Sequence, residues 1–261
     1  IQQTTTARMG TGVSVDAEED VLVAARANQN FFIVGAGIGV GGIVGVGGGV
    51  AVVSMTSTTT AEILGGTIVA GGDVAVIARD DTTHTVITGG VGGGLVGVGA
   101  SVGVVTITKD TTATIGNGTS VDAFANGAGV GGVLTGDVPS DGNFTTGTAG
   151  GVIVQATSSE SLLNLAISGG GGLVGIAGAV TVTIVDSDTS AVIGDNAQIN
   201  QGNAAHLAAS GTIEGDQGVW VTASNNFSLV SAAAAVAGGF VGVGAGVSYG
   251  SVRNNVGALI G

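Results

Sequence analysis

Hydrophobic and polar positions alternate with a period of two over long stretches of this chain. In Gly94–Val104 the series Val96, Val98, Ala100, Val102 and Val104 is interleaved with Gly97, Gly99, Ser101 and Gly103. Val241, Val243, Ala245 and Val247 repeat the rhythm. Period two sends alternate side chains to opposite faces of a strand. One face is therefore bulky and the other nearly bare. Sister stretches at Val34–Val53, Gly172–Val185 and Phe240–Val252 bring the copies to four.

Landmarks on either side of the Gly-rich stretches define a repeat. Short alternating strands are predicted at Val21-Leu22-Val23, Val74-Ala75-Val76, Val152-Ile153-Val154 and Val219-Trp220-Val221. Each precedes a polar stretch, the Gly-rich stretch and a closing segment containing Ala61, Ala113, Ala191 or Ala258. From Val21 to Ala61 is 40 residues; Val74 to Ala113, Val152 to Ala191 and Val219 to Ala258 are 39 each. The chain thus reads as one repetitive β domain of four units, 11–63, 64–115, 116–193 and 194–261. The third carries an inserted loop at about 124–151, with the only proline, Pro139, and the fourth a loop at about 203–218. Insertions between constant units project on one face of a repeat protein. The shortest junction, Ala61–Ala78, separates apolar pairs by Gly-Gly corners, with Asp73 at a turn. This predicts brief rungs of a β-solenoid, with Ile63, Ile68, Val74 and Val76 stacked in a buried column.

The uncharged stretch Phe32–Val53 has 22 residues, which as a helix would extend about 33 Å and could cross a bilayer. Its nine glycines oppose that, each costing a helix about 1 kcal/mol relative to alanine. The period of two and the lack of flanking Lys, Arg, Trp or Tyr anchors also argue against membrane spanning. As strands, the stretches carry Gly on a common side, which weakens a strand unless another backbone comes close. The expectation is a packing face formed by Gly35, Gly37, Gly39, Gly97, Gly99, Gly103, Gly175, Gly242 and Gly244. It would work either inside the molecule or between molecules in a fibre, with the bulky side against a Val/Ile core. Two all-β topologies fit: a parallel β-helix, or stacked antiparallel hairpins in which Gly89–Gly94 turns Thr85–Thr88 back against Leu95–Val98.

Composition narrows the function classes. Gly is 53 of 261 residues, about three times the usual share of about 7%. Only 9% of residues are charged, and mean hydropathy is +0.60, which argues against an intrinsically disordered chain. The net charge of −13 comes from 18 acids against Lys109, Arg8, Arg26, Arg79 and Arg253. So few cations argue against nucleic acid and against an anionic membrane surface as partners. No Cys is present, so there are no disulfides or thiolate metal sites. Ile1–Thr6 show no basic segment followed by an apolar core, as expected of a processed or excised chain.

Little in the chain points to catalysis. His84 and His206 lie in different repeats, without ligand spacing, and read as solvent-exposed. There is no G-x-S-x-G elbow, and the Gly runs lack a following Lys-Ser/Thr, so no nucleophile or phosphate cradle is expected. The acid groups Asp16–Asp20 and Asp186-Ser187-Asp188 offer oxygen ligands for calcium. Neither matches a calcium-loop pattern, and both read as solvated turns. The Thr runs at Thr58–Thr60, Thr82–Thr85 and Thr106–Thr108 would suit an ice-binding ladder, but β-propensity accounts for them.

Two motifs give the chain a resemblance. Thr112-Ala113-Thr114-Ile115-Gly116-Asn117-Gly118-Thr119-Ser120-Val121-Asp122-Ala123 and Gly71-Gly72-Asp73-Val74-Ala75-Val76-Ile77-Ala78 alternate with the Gly-Val runs. In this the chain resembles the large secreted repetitive exoproteins of bacteria, the filamentous-haemagglutinin-like and leukotoxin-like adhesins. The resemblance implies a right-handed parallel β-helix, export from the cell, and structural or adhesive work. The secretion domain and the Arg-Gly-Asp tripeptide of such proteins are not in this sequence. The expected function is a non-enzymatic extracellular surface protein without cofactor, self-associating into filaments or contacting a host or neighbouring cell. The alternative is a module that binds calcium or a glycan through the inserted loops.

Overall fold

The computed structural model describes residues 1–137, 144–202 and 217–261. Pro139, His206 and most of the 203–218 insertion lie outside the described residues. Among the described residues the fold is all-β and solenoidal, with three parallel sheets. After β1 (Gln2–Met9), each coil runs through a short strand and then two long ones. The first coil is β2 (Val13–Ala17), β3 (Val21–Val40) and β4 (Val44–Ile63); the second is β5 (Gly66–Ala70), β6 (Val74–Gly93) and β7 (Val96–Ile115). The third begins with β8 (Ser120–Ala123). A hairpin of β9 (Val130–Leu134) and β10 (Thr146–Ala149) follows, then β11 (Gly151–Gly171) and β12 (Val174–Ile193). The fourth contains β13 (Gln198–Ile199), β14 (Gly218–Gly238) and β15 (Val241–Ile260).

Stacking of the coils makes a front sheet β1-β4-β7-β12-β15, a back sheet β3-β6-β11-β14 and a short sheet β2-β5-β8-β13. The repeat landmarks coincide with the register. Val21, Val74, Val152 and Val219 are neighbours in the back sheet, and Ala61, Ala113, Ala191 and Ala258 in the front sheet. The extra residue of the first repeat sits in the turn, where Gly41-Gly42-Ile43 replaces the two-residue Gly94-Leu95. The antiparallel hairpin alternative is not what forms. β6 and β7 do fold back at Gly94, but they hydrogen-bond within different sheets and meet face to face.

The expectation of brief strands is corrected: the long strands run about 20 residues, straight through the polar stretches. Those stretches keep the period of two, and inward groups such as Ser57, Thr59, Asp80, Thr82 and Lys109 find partners on other strands. No polar side chain there forces the chain out of the ladder. Where the three sheets enclose a triangle, the expected column is present: Ile63, Ile68, Val74 and Val76 are buried with Ala61, Ala113, Ile115 and Ile193. Acids hold the corners of this triangle. The Asp73 amide donates to Asp20 Oδ1 (2.8 Å), the Gly151 amide to Asp73 Oδ1 (2.7 Å) and the Gly202 amide to Asp122 Oδ1 (2.8 Å).

Away from the triangle the two long sheets face each other alone, and beyond the large side chains at mid-strand the inward residues shrink to glycine. On β6 and β7 the order is Ala78 and Ala113, then Asp80, Lys109 and Thr111. Next come Val86, Val105 and Ile107, then Thr88 and Ser101, and finally Gly90, Gly92, Gly97 and Gly99. Face-to-face sheets ordinarily lie about 10 Å apart because side chains fill the gap. Here the gap closes until backbone touches backbone. A Cβ on Gly37 would overlap the carbonyl of Gly48, and one on Gly92 that of Val98. The Gly hydrogens instead point at those carbonyls as weak Cα–H···O contacts, each worth about 0.5–1 kcal/mol. At the tip, Gly172 and Gly239 take φ of 157° and 148°, values that favour glycine, as the chain passes from back to front sheet.

Closing the Gly face reverses the expectation for the bulky face. In the Gly-rich half the valines do not meet a core; they point outward. Val46 is 65% exposed, Ile38 80% and Val243 59%. No room remains between the sheets for branched side chains, so the parity that puts Gly inside puts Val outside. These outer residues form in-register ladders, among them Val46–Val98–Ile176–Val243 and Val50–Val102–Val180–Val247.

Candidate functional site

Midway along the long strands, between the triangular core and a second apolar cluster of Val53, Val86, Ile107, Leu162 and Val185, the interior is polar. Lys109, the only lysine of the chain, projects inward from β7 because it shares the parity of Val105 and Ile107. Its side chain has no exposed surface. Nζ lies 3.0 Å from Asp80 Oδ1 on β6 and 2.9 Å from Glu160 Oε1 on β11, both also fully buried. It donates as well to the backbone carbonyls of Asp80 (3.1 Å) and Ser159 (3.3 Å).

Neighbouring coils supply hydroxyls and amides around the two carboxylates. Asp80 Oδ2 accepts from Ser57 Oγ (2.5 Å) and Thr59 Oγ1 (3.0 Å). Asp80 Oδ1 accepts from Thr82 Oγ1 (3.2 Å). The Gln29 carboxamide, in the orientation its neighbours favour, reaches the same oxygen with its nitrogen (3.0 Å). Glu160 Oε1 accepts from Ser158 Oγ (2.6 Å) and Ser187 Oγ (3.1 Å), and Asn225 Nδ2 donates to Ser187 Oγ (2.9 Å). Among the described residues, the buried Glu160 Oε2 has no hydrogen-bond partner. The cluster thus draws on all four coils and holds one amine against two carboxylates.

His84 is buried one layer further along, which corrects the expectation that it is exposed. Its inward parity on β6 places Nε2 3.1 Å from Met55 Sδ and its ring 4.9 Å from that of Phe31. Burial, and then the charge of Lys109, hold the imidazole below its ordinary value of 6.5. Asp73 moves the other way: burial is the main cause, with Asp20 adding to it and the Gly151 amide opposing.

A second feature lies on the outer surface. The hairpin β9–β10 packs Val133 and Ala149 over Ala75, Ile77 and Ile153 of the back sheet. Gln155 secures it, accepting from the Leu134 amide (2.9 Å) and donating to the Gly132 carbonyl (3.1 Å). Beside it runs an open groove of about 360 Å³ with Arg26, Arg79, Asp81, Thr157 and Asn226 in its walls. Arg26 and Arg79 are register neighbours, and Arg79 Nε lies 2.7 Å from Asp81 Oδ2.

Each Gly of the expected packing face is turned toward the opposite sheet of the same molecule. Gly35, Gly37 and Gly39 face Val50, Gly48 and Val46; Gly97 and Gly99 face Gly171 and Gly169; Gly103 faces the Asn164 side chain. Gly175 lies against Gly170, and Gly242 and Gly244 against Ala237 and Ala235. Of the acid groups, Asp186 and Asp188 are strand positions on β12 rather than a turn. They pair with Arg253 (2.8 Å) and Asn255 (2.6 Å) of β15. Among the described residues no group of three or more His, Cys, Asp or Glu is arranged to hold a metal ion, and no helix is long and apolar enough to cross a membrane.

The Lys109 cluster has a signal in the sequence that a search for contiguous motifs passes over. Asp80 shares the parity of Val74 and Val76, Lys109 that of Val105 and Ile107, and Glu160 that of Val154 and Leu162. Three charges on the buried face of predicted strands mark an internal polar cluster. Comparison of the chain with protein-family models, with curated proteins and with solved structures finds no match to any of them.

Proposed function

We propose that this chain is a non-enzymatic structural element of a secreted or cell-surface protein, a stiff β-solenoid that assembles with itself or adheres to another surface. The observation that carries this reading is the pairing of a sealed interior with apolar ladders on the outer faces. The Gly faces are consumed inside the molecule, so association runs through the outer valine ladders. Contiguous exposed apolar surface of this kind marks interaction sites in soluble proteins. The resemblance to repetitive bacterial exoproteins supports the same reading.

Electron microscopy and sedimentation of the purified chain test it. Fibres with a regular axial repeat, or concentration-dependent oligomers, are expected. A monodisperse monomer at every concentration that also fails to coat apolar or cell-derived surfaces would refute it.

The groove beside the hairpin favours a second reading, a glycan-binding module. Arg26 and Arg79 side by side, with Thr157 and Asn226 close by, suit an acidic sugar through charge-assisted hydrogen bonds. An array of sialylated, sulfated and neutral glycans discriminates: retention of acidic ones, lost in Arg79→Ala, supports it, and equal indifference to all of them removes it.

A further inference from the structure

The Lys109 cluster is more than a packing problem solved with charges. One ammonium and two carboxylates, each without exposed surface, place a net negative charge between two apolar layers. Removing ions from water costs several kcal/mol per ion, and mutual attraction offsets it only when geometry and further hydrogen bonds are good. Asp80 is well supplied with such bonds, but Glu160 keeps one buried oxygen with no partner among the described residues. The arrangement also meets the requirements of a condensation. An amine and a carboxyl are held in contact, a second carboxylate touches the same amine, and bulk water is shut out.

We infer that Lys109 and Asp80 become joined by an intramolecular amide bond, with Glu160 as the catalytic residue that moves the proton. In the first step Glu160 Oε1, 2.9 Å from Nζ, takes one proton from the ammonium. The neutral amine then attacks Asp80 Cγ and forms the new N–C bond. Asp80 Oδ2, hydrogen-bonded by Ser57 and Thr59, carries the developing negative charge and stays as the amide oxygen. Asp80 Oδ1, beside Nζ and Thr82, is the leaving oxygen. It takes a second proton from nitrogen and the one held by Glu160, and departs as water. Of the three ammonium protons one stays on the amide and two leave with the oxygen; Glu160 ends as it began, and no oxidant or other reactant is consumed. Enforced contact replaces an activated acid, since well-oriented intramolecular partners reach effective concentrations on the order of 10⁵ M or more. The product removes an ion pair from the interior and ties the back sheet to the front sheet across the polar seam.

The test is the mass of the folded, then denatured, full chain. The linked protein is lighter than its sequence by one water, and digestion yields a branched peptide containing Asp80 and Lys109. Because Lys109 is the only lysine, an amine-reactive label added after denaturation then modifies the α-amine alone. Glu160→Gln, with hydrogen-bonding capacity kept but no base, is expected to retain the full mass and a labelled Lys109. A wild-type chain with native-like β-sheet circular dichroism, full sequence mass and a reactive Lys109 overturns the proposal and leaves an ordinary buried ion cluster. This result is read from the wild type, so it holds whether or not the variant folds. Linkage persisting in a folded Glu160→Gln chain would overturn the role given to Glu160.

Discussion

At the scale of single residues, what decides a position in the Gly-rich half is which sheet face it occupies, not how hydrophobic it is. Gly99 and Val98 are neighbours, yet a Cβ on Gly99 would run into the Gly169 backbone, whereas Val98 points outward. Gly99→Val is therefore expected to cost about 3 kcal/mol or more, the upper range for overpacking a site that cannot yield. Val98→Thr should stay within about 0.5 kcal/mol. Denaturant midpoints of the two variants check the contrast. His84 gives a pH signature. Its folded-state value is depressed, so near pH 6.5 the unfolded chain takes up a proton that the folded chain refuses. Stability from this group is full above that pH and declines as pH falls through about 6.5 toward the lower folded-state value. Melting temperatures between about pH 7.5 and about pH 5.5 should fall in the wild type and be flatter in His84→Gln. Burial is the leading cause of the shift, so its direction survives loss of the Lys109 charge on amide formation.

At the scale of elements, the long strands show how far the alternation could be read and where it stopped. The register of Val21, Val74, Val152 and Val219 was legible because it depends on repeat length alone. So was the column of Ile63, Ile68, Val74 and Val76, because a Gly-Gly corner on each side leaves it one place to go. Strand length was not legible. Polar residues such as Ser57 and Thr82 read as the end of a strand unless their partners on other coils, Asp80 and Gln29, are known. The same blindness hid the Lys109 cluster: Asp80, 29 residues away in sequence, meets Lys109 only when its coil folds back, and Glu160, 51 residues away, only when the coils stack. The hairpin β9–β10 is an addition laid on a finished sheet. Its removal, with the ends rejoined, should leave the β-sheet circular dichroism intact. The cost should be that of uncovering Ile77 and Ile153, at about 1.5–3 kcal/mol each. Loss of the whole fold on that deletion would show that β11 depends on the hairpin.

At the scale of the whole molecule, a blade with apolar ladders on its outer faces should be soluble only while those ladders find each other slowly. Replacing Val46, Val98 and Ile176 together by Thr breaks one ladder without touching the interior. Sedimentation velocity is expected to show weaker association for this triple variant, with an unchanged thermal midpoint for the dispersed chain. The one-to-one register from coil to coil has a consequence for inheritance. Since the apolar and Gly positions of each turn already accept similar neighbours above and below, a gene that duplicated the segment 64–115 would encode a longer blade whose new joint needs repair mainly where Lys109 and Asp80, now flanked by Ser57 and Ser187 and by Ala27 and Ser158, would each stack on a copy of itself. Such a lineage can change its reach in whole turns, with few repairs inside, while the cross-section stays as it is.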